Sequence, residues 1–433
     1  MGSVRRGKKQ MEAMMSDGAA REQTIETAGQ GGPRVLVAGA SIAGPALAHW
    51  LCRRGAEVTV IERAPELRPG GQAVDARGVA KEVIRRMGLD AAVRGACTDT
   101  AGAYTVDADG NVLETFAAED DGFIAEIEIL RGDLSQVLYD DTRDAVEYIF
   151  GDRIAELTQD ADGVDVVFAG GDRRRFDLVI GADGLHSSLR AMVFGPHERF
   201  LHHLGHVLAF YSVPNEFGLD RWLLEHQEPG RSALLRPIQD ATRAMSMFYF
   251  AAADFDVDYR DVAAQKRWLR ERMTGLGWLT PDILAHLDDT PDFYLDQVAQ
   301  VVMDRWSSGR VGLLGDAAFS SSPMSGQGTG LALVGAYLLA GELAAAEWDP
   351  EAGFIAYQER MRSYVEANQE IGRLNARSRE VPGPDSEPMP DFAGESFAEL
   401  LERAINGVEL PDYAGVPDSG APATSSTEPG AIP

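Results

Sequence analysis

Three glycine-centred stretches, far apart in the chain, carry the residue types that bind a dinucleotide. The first, Gly39-Ala40-Ser41-Ile42-Ala43-Gly44, follows an apolar run over 34–38. Its first glycine permits a tight turn and its last lets a helix approach the preceding strand, while Ser41 takes the position facing a pyrophosphate, where a small residue is needed. A serine there can donate a hydrogen bond of its own. The helix start adds free N–H groups and a positive dipole end, both favourable to phosphate. Glu62 ends the next apolar run eighteen residues after Gly44, close to the ~20-residue offset of the acid that takes ribose hydroxyls. An acid at that position disfavours a 2′-phosphate, and Arg63 beside it suits an adenylate.

The other two stretches each close an apolar run. Asp183-Gly184 follows 176–180, and Gly315-Asp316 follows 310–314. Alone, either is an ordinary strand-to-helix turn. The second continues into Pro323-Met324-Ser325-Gly326-Gln327-Gly328-Thr329-Gly330 and then an apolar helix over 331–346, so accessible backbone stands at a helix N-terminus, a ready anion site. The elements that must hold these stretches alternate in type. Strand, turn, helix (42–54) and strand (57–62) make a βαβ unit. A Pro- and Gly-rich loop is expected over 65–78, helices over 79–87 and 133–144, and antiparallel strands over 101–129 with a hairpin at Asp109-Gly110-Asn111. Long aromatic β-type runs fill 200–300, with a helix over 262–274, and a charged helix spans 354–377.

Composition excludes several classes. The 433 residues are 45% apolar and carry a net charge of −28, enough for a sizeable core and unfavourable for nucleic acid or anionic membrane. From 380 onward eleven residues are acidic and one, Arg403, is basic. Cys52 and Cys97 are the two cysteines, too few for a disulfide framework and without metal-ligand spacing, so no metal site is expected. No run approaches the roughly 20 apolar residues of a membrane span. The basic N-terminus lacks an apolar signal core. A cytoplasmic protein, monomer or homodimer, is expected.

Taken together, the three motifs and Leu130-Arg131-Gly132-Asp133-Leu134 resemble the class A flavoprotein monooxygenases, the family with the para-hydroxybenzoate hydroxylase fold. The resemblance runs from about 34 to 377, in the family's motif order, and is strongest to compact members that include tetracycline-inactivating monooxygenases and tailoring hydroxylases of aromatic natural products. It implies an α/β architecture. A Rossmann-type FAD-binding domain (33–98, 125–195 and 297–350) would carry an inserted, mainly antiparallel β-sheet substrate domain (99–124 and 196–296). A C-terminal helix (351–379), a disordered N-terminal segment (1–32) and an acidic, largely disordered tail (380–433) would complete the chain.

The resemblance also implies roles. Gly39, Ser41, Ala43 and Gly44 would hold the FAD pyrophosphate, Glu62 and Arg63 the adenosine side, and Arg131 would reach the FAD. Asp183 and Gly184 would support both FAD and a transient NADPH or NADH. Gly315 and Asp316 would meet the ribityl or ribose hydroxyls, and Gly326, Gln327, Gly328 and Thr329 would lie against the flavin ring, where their N–H groups suit the anionic N1–C2=O edge of the reduced ring. The implied reaction hydroxylates an aromatic or polycyclic molecule with O₂ through a flavin C4a-hydroperoxide. Two departures stand out: Ser41 replaces the central glycine, and no thioredoxin-like domain follows as in the long phenol hydroxylases.

Such chemistry needs no acid–base residue, but a base for a phenol is sought in the insert: His202, His203, His206, Tyr211 or His226. Arg236 is a further catalytic candidate, expected to line the pocket. His202 and His203 are expected on a surface turn. Phe248 and Phe250 share a strand face and are expected to line the pocket with Pro323 and Met324, although sheet core explains the two phenylalanines equally well. Gln72, Asp75 and Arg77 are expected near flavin or substrate. The paired-tryptophan motif of flavin halogenases is absent. An FAD-dependent reductase of the same fold and a non-redox ligand-binding protein remain as alternatives.

Overall fold

A computed structural model describes residues 31–118, 125–258, 260–379 and 396–413. The disorder expected over 1–30, 380–395 and 414–433 lies outside them.

The nucleotide half is built on a six-stranded sheet. Its order is Ser307–Ser308, Val311–Leu313, Leu178–Gly181, Arg34–Ala38, Glu57–Glu62 and Glu147–Phe150, parallel apart from the Ser307–Ser308 edge. Parallel strands covered on both faces read as continuous apolar runs, and Val35, Leu36, Val37, Val60, Val179 and Ile180 are all fully buried. The three motif turns leave neighbouring strands of this sheet at the same end, which is why motifs distant in sequence meet. The helices Ala43–Arg53 and Gly328–Ala345 pack on each other. The second is long and apolar enough to cross a membrane, yet 89% of that window is buried inside the protein. Its apolar character on every side is that of a core helix.

The second half is a seven-stranded sheet in the order Tyr294–Val301, Leu201–Pro214, Arg243–Ala251, Arg231–Pro237, Trp222–Glu228, Gly102–Val106 and Val112–Ala117. Every pairing is antiparallel except that of Trp222–Glu228 with Gly102–Val106. The strand Tyr294–Val301 lies wholly in this sheet, so the expected boundary at 296/297 cuts through one of its members. One face packs Tyr211, Phe248, Phe250 and Leu269 into a separate core under the helix Val262–Met273. The Pro- and Gly-rich stretch contains a short strand, Ala73–Ala76, paired with Ile127–Leu130, where only a loop is expected.

The acidic tail is not wholly irregular. Ser396 and Glu399 form a capping box on the helix Phe397–Asn406, and Leu400 and Ala404 pack against Ala367, Ile371 and Leu374 of the helix Pro350–Ser378. The chain then runs to Tyr413, whose hydroxyl donates to Glu342 at 2.6 Å. A Cβ on Gly341 would lie 2.1 Å from the Tyr413 ring. Gly341→Val is therefore expected to expel Tyr413 and free the 397–413 segment, at about 1–3 kcal/mol for overpacking. Hydrogen exchange at 397–413 checks this, with faster exchange confined to that segment.

Candidate functional site

Both halves line one cleft of about 2360 Å³, several times the roughly 300–1,000 Å³ of a single small-ligand site. On its nucleotide side, Gly39 has a φ of 110° and donates its N–H to Ile61 O at 2.7 Å. A Cβ on Gly44 would lie 1.8 Å from the Gly39 carbonyl oxygen, so only glycine lets the helix Ala43–Arg53 start this close to the strand. The first-turn N–H groups have no intrahelical partner, and Ser41, Ile42 and Ala43 line the cleft. The Glu62 carboxylate accepts from the backbone N–H of Ala40 (3.0 Å) and of Ala64 (2.9 Å). It ties the glycine turn to the end of its own strand and, with Arg63, faces the cleft.

Gly315 has a φ of 63°, and a Cβ there would come within 3.2 Å of Ala43 Cβ, so the first and last motifs touch. Asp316 starts the helix Asp316–Phe319 and opens onto the cleft, although protein surrounds it on its other sides. Burial pushes its carboxyl above the ordinary value, opposed by the Ser320 hydroxyl and by the charges of Arg131 and Arg190. Arg131 begins the helix Arg131–Thr142 and donates its backbone N–H to Gln72 O at 3.0 Å. Among the described residues, none accepts a hydrogen bond from its guanidinium. Gln327 Oε1, at the start of Gly328–Ala345, is likewise buried with no partner there. Free donors, an unpaired buried acceptor and glycines that leave no room for side chains fit an extended, phosphate-bearing dinucleotide.

Gly184, with a φ of 82°, lines the cleft. Asp183 does so too, but its carboxylate is used locally, accepting from the Ser187 hydroxyl (2.5 Å) and the N–H groups of Ser188 (2.7 Å) and Leu189 (3.2 Å). Sequence reasoning gave no role to Arg190. It is fully buried, donating to Leu185 O at 2.6 Å and Ala317 O at 2.9 Å, and so fastens the Asp183-Gly184 loop to the Gly315-Asp316 turn.

The opposite wall is the free face of the seven-stranded sheet. Cross-strand pairing sets Leu234, Met247, Phe210 and Tyr294 in one row, with Met245 and Ser212 in the next. Ion pairs stand at its edges. Arg236 Nη1 lies 2.6 Å from Glu128 Oε1, with side-chain exposures of 12% and 6%. Glu128 also accepts from Thr98 and Thr100. Burial pushes the Glu128 carboxyl up, but Arg236 and the two hydroxyls outweigh it and hold the carboxyl below its ordinary value. Asp75, opposite Glu128 in the adjoining strand pair, binds Arg77 at 2.9 Å. Elsewhere on the wall, Arg379 lies 3.8 Å from Glu225, its guanidinium 5.0 Å from the centre of the Tyr249 ring.

Residues 33–370 match a protein-family model described as an FAD binding domain. A protein of Mycobacterium tuberculosis is 44% identical over 88% of this chain and 99% of its own. A flavin-dependent monooxygenase of Legionella longbeachae is 37% identical over 88% of this chain and 98% of its own. The crystal structure of tetracycline destructase Tet(51) superposes with a TM-score of 0.78 at 36% identity, covering 89% of this chain and 100% of that one. The chain belongs to the class A FAD-dependent monooxygenases. It is an enzyme, and the non-redox alternative is set aside.

The monooxygenase corrects several expectations about its substrate side. Phe248 and Phe250 do not line the cleft; they point into the core under Val262–Met273, and Met245, Met247 and Tyr249 face the cleft instead. Tyr211 is on that same far side, its hydroxyl donating to Ile283 O at 3.0 Å. His226 is also turned away, its Nδ1 bonded to Val106 O at 2.9 Å. His202 and His203 are exposed on the strand Leu201–Pro214 rather than on a turn, and His206 stacks on Tyr249 without lining the cleft. None of these is placed to act as a base in the cleft. Of the proposed candidates only Arg236 lines it, alongside Gln72, Asp75, Arg77, Pro323 and Met324. Among the described residues, no group of His, Cys, Asp and Glu side chains could hold a metal ion.

Proposed function

We propose that this monooxygenase draws electrons from NADPH or NADH and inserts oxygen into an electron-rich aromatic or polycyclic molecule of the tetracycline type. The observation that carries this reading is the sheet face that meets the dinucleotide cradle in one cleft. Leu208, Phe210, Met245, Met247 and Tyr249 make it broad and largely apolar, suited to a fused-ring system, while Arg236–Glu128 and Glu225–Arg379 supply polar anchors for ring substituents. The volume is adequate for a dinucleotide and a second molecule together. The likeness to a tetracycline destructase supports the choice of ligand class.

Bound FAD supplies electron transfer from the nicotinamide and the activation of O₂. Ser41, Ala43, Gly328 and Thr329 would offer backbone N–H groups to its phosphates and ring edge, while the Gly39, Gly326 and Gln327 N–H groups are spent on the turns themselves. Glu62 and Asp316 would accept from its hydroxyls, and Arg131 would contribute charge. The sheet face orients the substrate and keeps water away. Asp316→Ala and Arg131→Ala are each expected to weaken FAD binding at least tenfold, roughly 1.4 kcal/mol, measured by fluorescence titration of the stripped protein. Unchanged affinity in both would show the cofactor to be misplaced. The substrate reading is tested by following NADPH and NADH oxidation with tetracycline present. Stimulated oxygen consumption and a product heavier by one oxygen atom support it. Oxygen-independent reduction of the added ligand would favour the reductase alternative.

A further inference from the structure

The strand Tyr294–Val301 puts two polar side chains on the cleft that neither the cofactor nor the substrate assignment uses. The Tyr294 hydroxyl donates to Asp296 Oδ2 at 3.1 Å, and the same oxygen lies 2.7 Å from His186 Nε2. The other Asp296 oxygen accepts from the Gln297 N–H at 2.8 Å, which fixes the carboxylate between its partners. Tyr294 stacks on Phe210 with ring centroids 4.7 Å apart and lines the cleft with 39% of its surface open. His186 stands in the loop after Asp183-Gly184, where His197 lies 6.3 Å away between ring centroids and the exposed His203 feels the charges of both His186 and Asp296. His197 in turn touches Arg190 at 3.1 Å. Arg131 and Asp316 are the charged groups that face Tyr294 from the nucleotide side. The line phenol, carboxylate, imidazole thus joins the Tyr294 hydroxyl to His186, which also borders the cleft and has 22% of its side chain open to solvent.

Oxygen insertion has a proton requirement that such a line can meet. One atom of O₂ enters the substrate and the other leaves as water. The nicotinamide gives two electrons and one proton as hydride, and the second proton of that water comes from solvent. A cleft that keeps water out must admit this proton by another route.

We propose that Tyr294, Asp296 and His186 form the relay that carries it. The Tyr294 O–H turns from Asp296 into the cleft and gives its proton to the departing oxygen. Asp296 passes to the phenol oxygen a proton received from protonated His186, and the imidazole is recharged from solvent. One proton is consumed, and the three groups return to their starting states. Although its ring opens onto the cleft, the protein packed around its other sides and the neighbouring Asp296 carboxylate push the phenol well above its ordinary value, with Arg131 opposing. A free phenolate is therefore costly, and the proton leaves Tyr294 only as another arrives. The proposal rests on the nicotinamide-driven oxygen insertion described above.

The test uses the FAD-loaded full chain with NADPH and tetracycline as probe. Tyr294→Phe keeps the ring stack and removes the proton. It is expected to turn most consumed oxygen into hydrogen peroxide, while wild type stays coupled. His186→Ala is expected to uncouple in the same way and to be restored by added imidazole, which a purely structural role would not allow. Tyr294→Phe with wild-type coupling overturns the relay. A second readout needs no turnover. An exchange-protected His186 Nε2–H resonance, identified by its loss in His186→Ala, is expected in wild type and Tyr294→Phe and absent in Asp296→Asn. Its absence from wild type overturns the relay. Failure of wild type to oxygenate tetracycline rejects only the substrate reading, and the resonance then decides the relay.

Discussion

Gly44→Val is expected to yield a protein that folds poorly and retains no flavin. A Cβ at this position would lie 1.8 Å from the Gly39 carbonyl oxygen and 3.0 Å from its carbon. Backbone cannot yield as the end of a flexible side chain can, so the helix Ala43–Arg53 must move off the strand Arg34–Ala38. The N–H groups that would meet the pyrophosphate move with it, and the helix is held on its far side by Gly328–Ala345. The visible spectrum and flavin-to-protein ratio of the purified variant measure the outcome. Ser41→Gly, which only restores the usual residue of the motif, serves as the control and is expected to stay yellow. Wild-type flavin content in Gly44→Val would mean that this turn is not the phosphate cradle.

Arg236→Met is the second change with a large expected effect. It leaves the Glu128 carboxylate, 6% exposed, without its cation, and breaking one side of a buried pair costs about 3–5 kcal/mol. Replacing both partners by apolar residues is expected to recover much of that loss, because the desolvation cost of the remaining charge disappears as well. Chemical denaturation of the single and double variants measures both. The pH dependence follows from the depressed Glu128 carboxyl. Its contribution is fully present above the ordinary glutamate value of about 4.3 and is lost as pH falls through the lower folded value. Arg236→Met should remove that acid-side loss. An unchanged acid limb would show that the pair does not set it.

The cofactor side was legible because its chemistry is written in spacing. Gly39, Gly44 and Glu62 occur at the offsets that a strand–turn–helix–strand unit requires, and Gly315-Asp316 announces its loop by composition. The substrate side hides for a physical reason. In the strand Arg243–Ala251, Met245, Met247 and Tyr249 alternate with Ala244, Ser246, Phe248 and Phe250, so both faces are largely apolar and period two alone does not say which meets the cleft. Choosing the phenylalanines selects the wrong parity. Tyr211 and His226 fail for the same reason, while Leu208, Phe210 and Glu225 lie one register away. Tyr294 and Asp296 share a face at i and i+2, but their partner His186 is 110 residues distant from Asp296. No sequence spacing reports that meeting. Arg379 and Glu225 likewise meet only through the packing of the long C-terminal helix.

The touch between Ala43 and Gly315 has a consequence for the order of events during synthesis. Some 270 residues must leave the ribosome after the first turn before the last can reach it, although closing so long a loop costs only slightly more entropy than closing a shorter one. Until then the nascent chain holds half a cradle, with the sheet strand Val311–Leu313 not yet in place beside Leu178–Gly181. Flavin therefore has no complete seat on a partly made chain, and capture of the cofactor belongs to the end of folding rather than its nucleus.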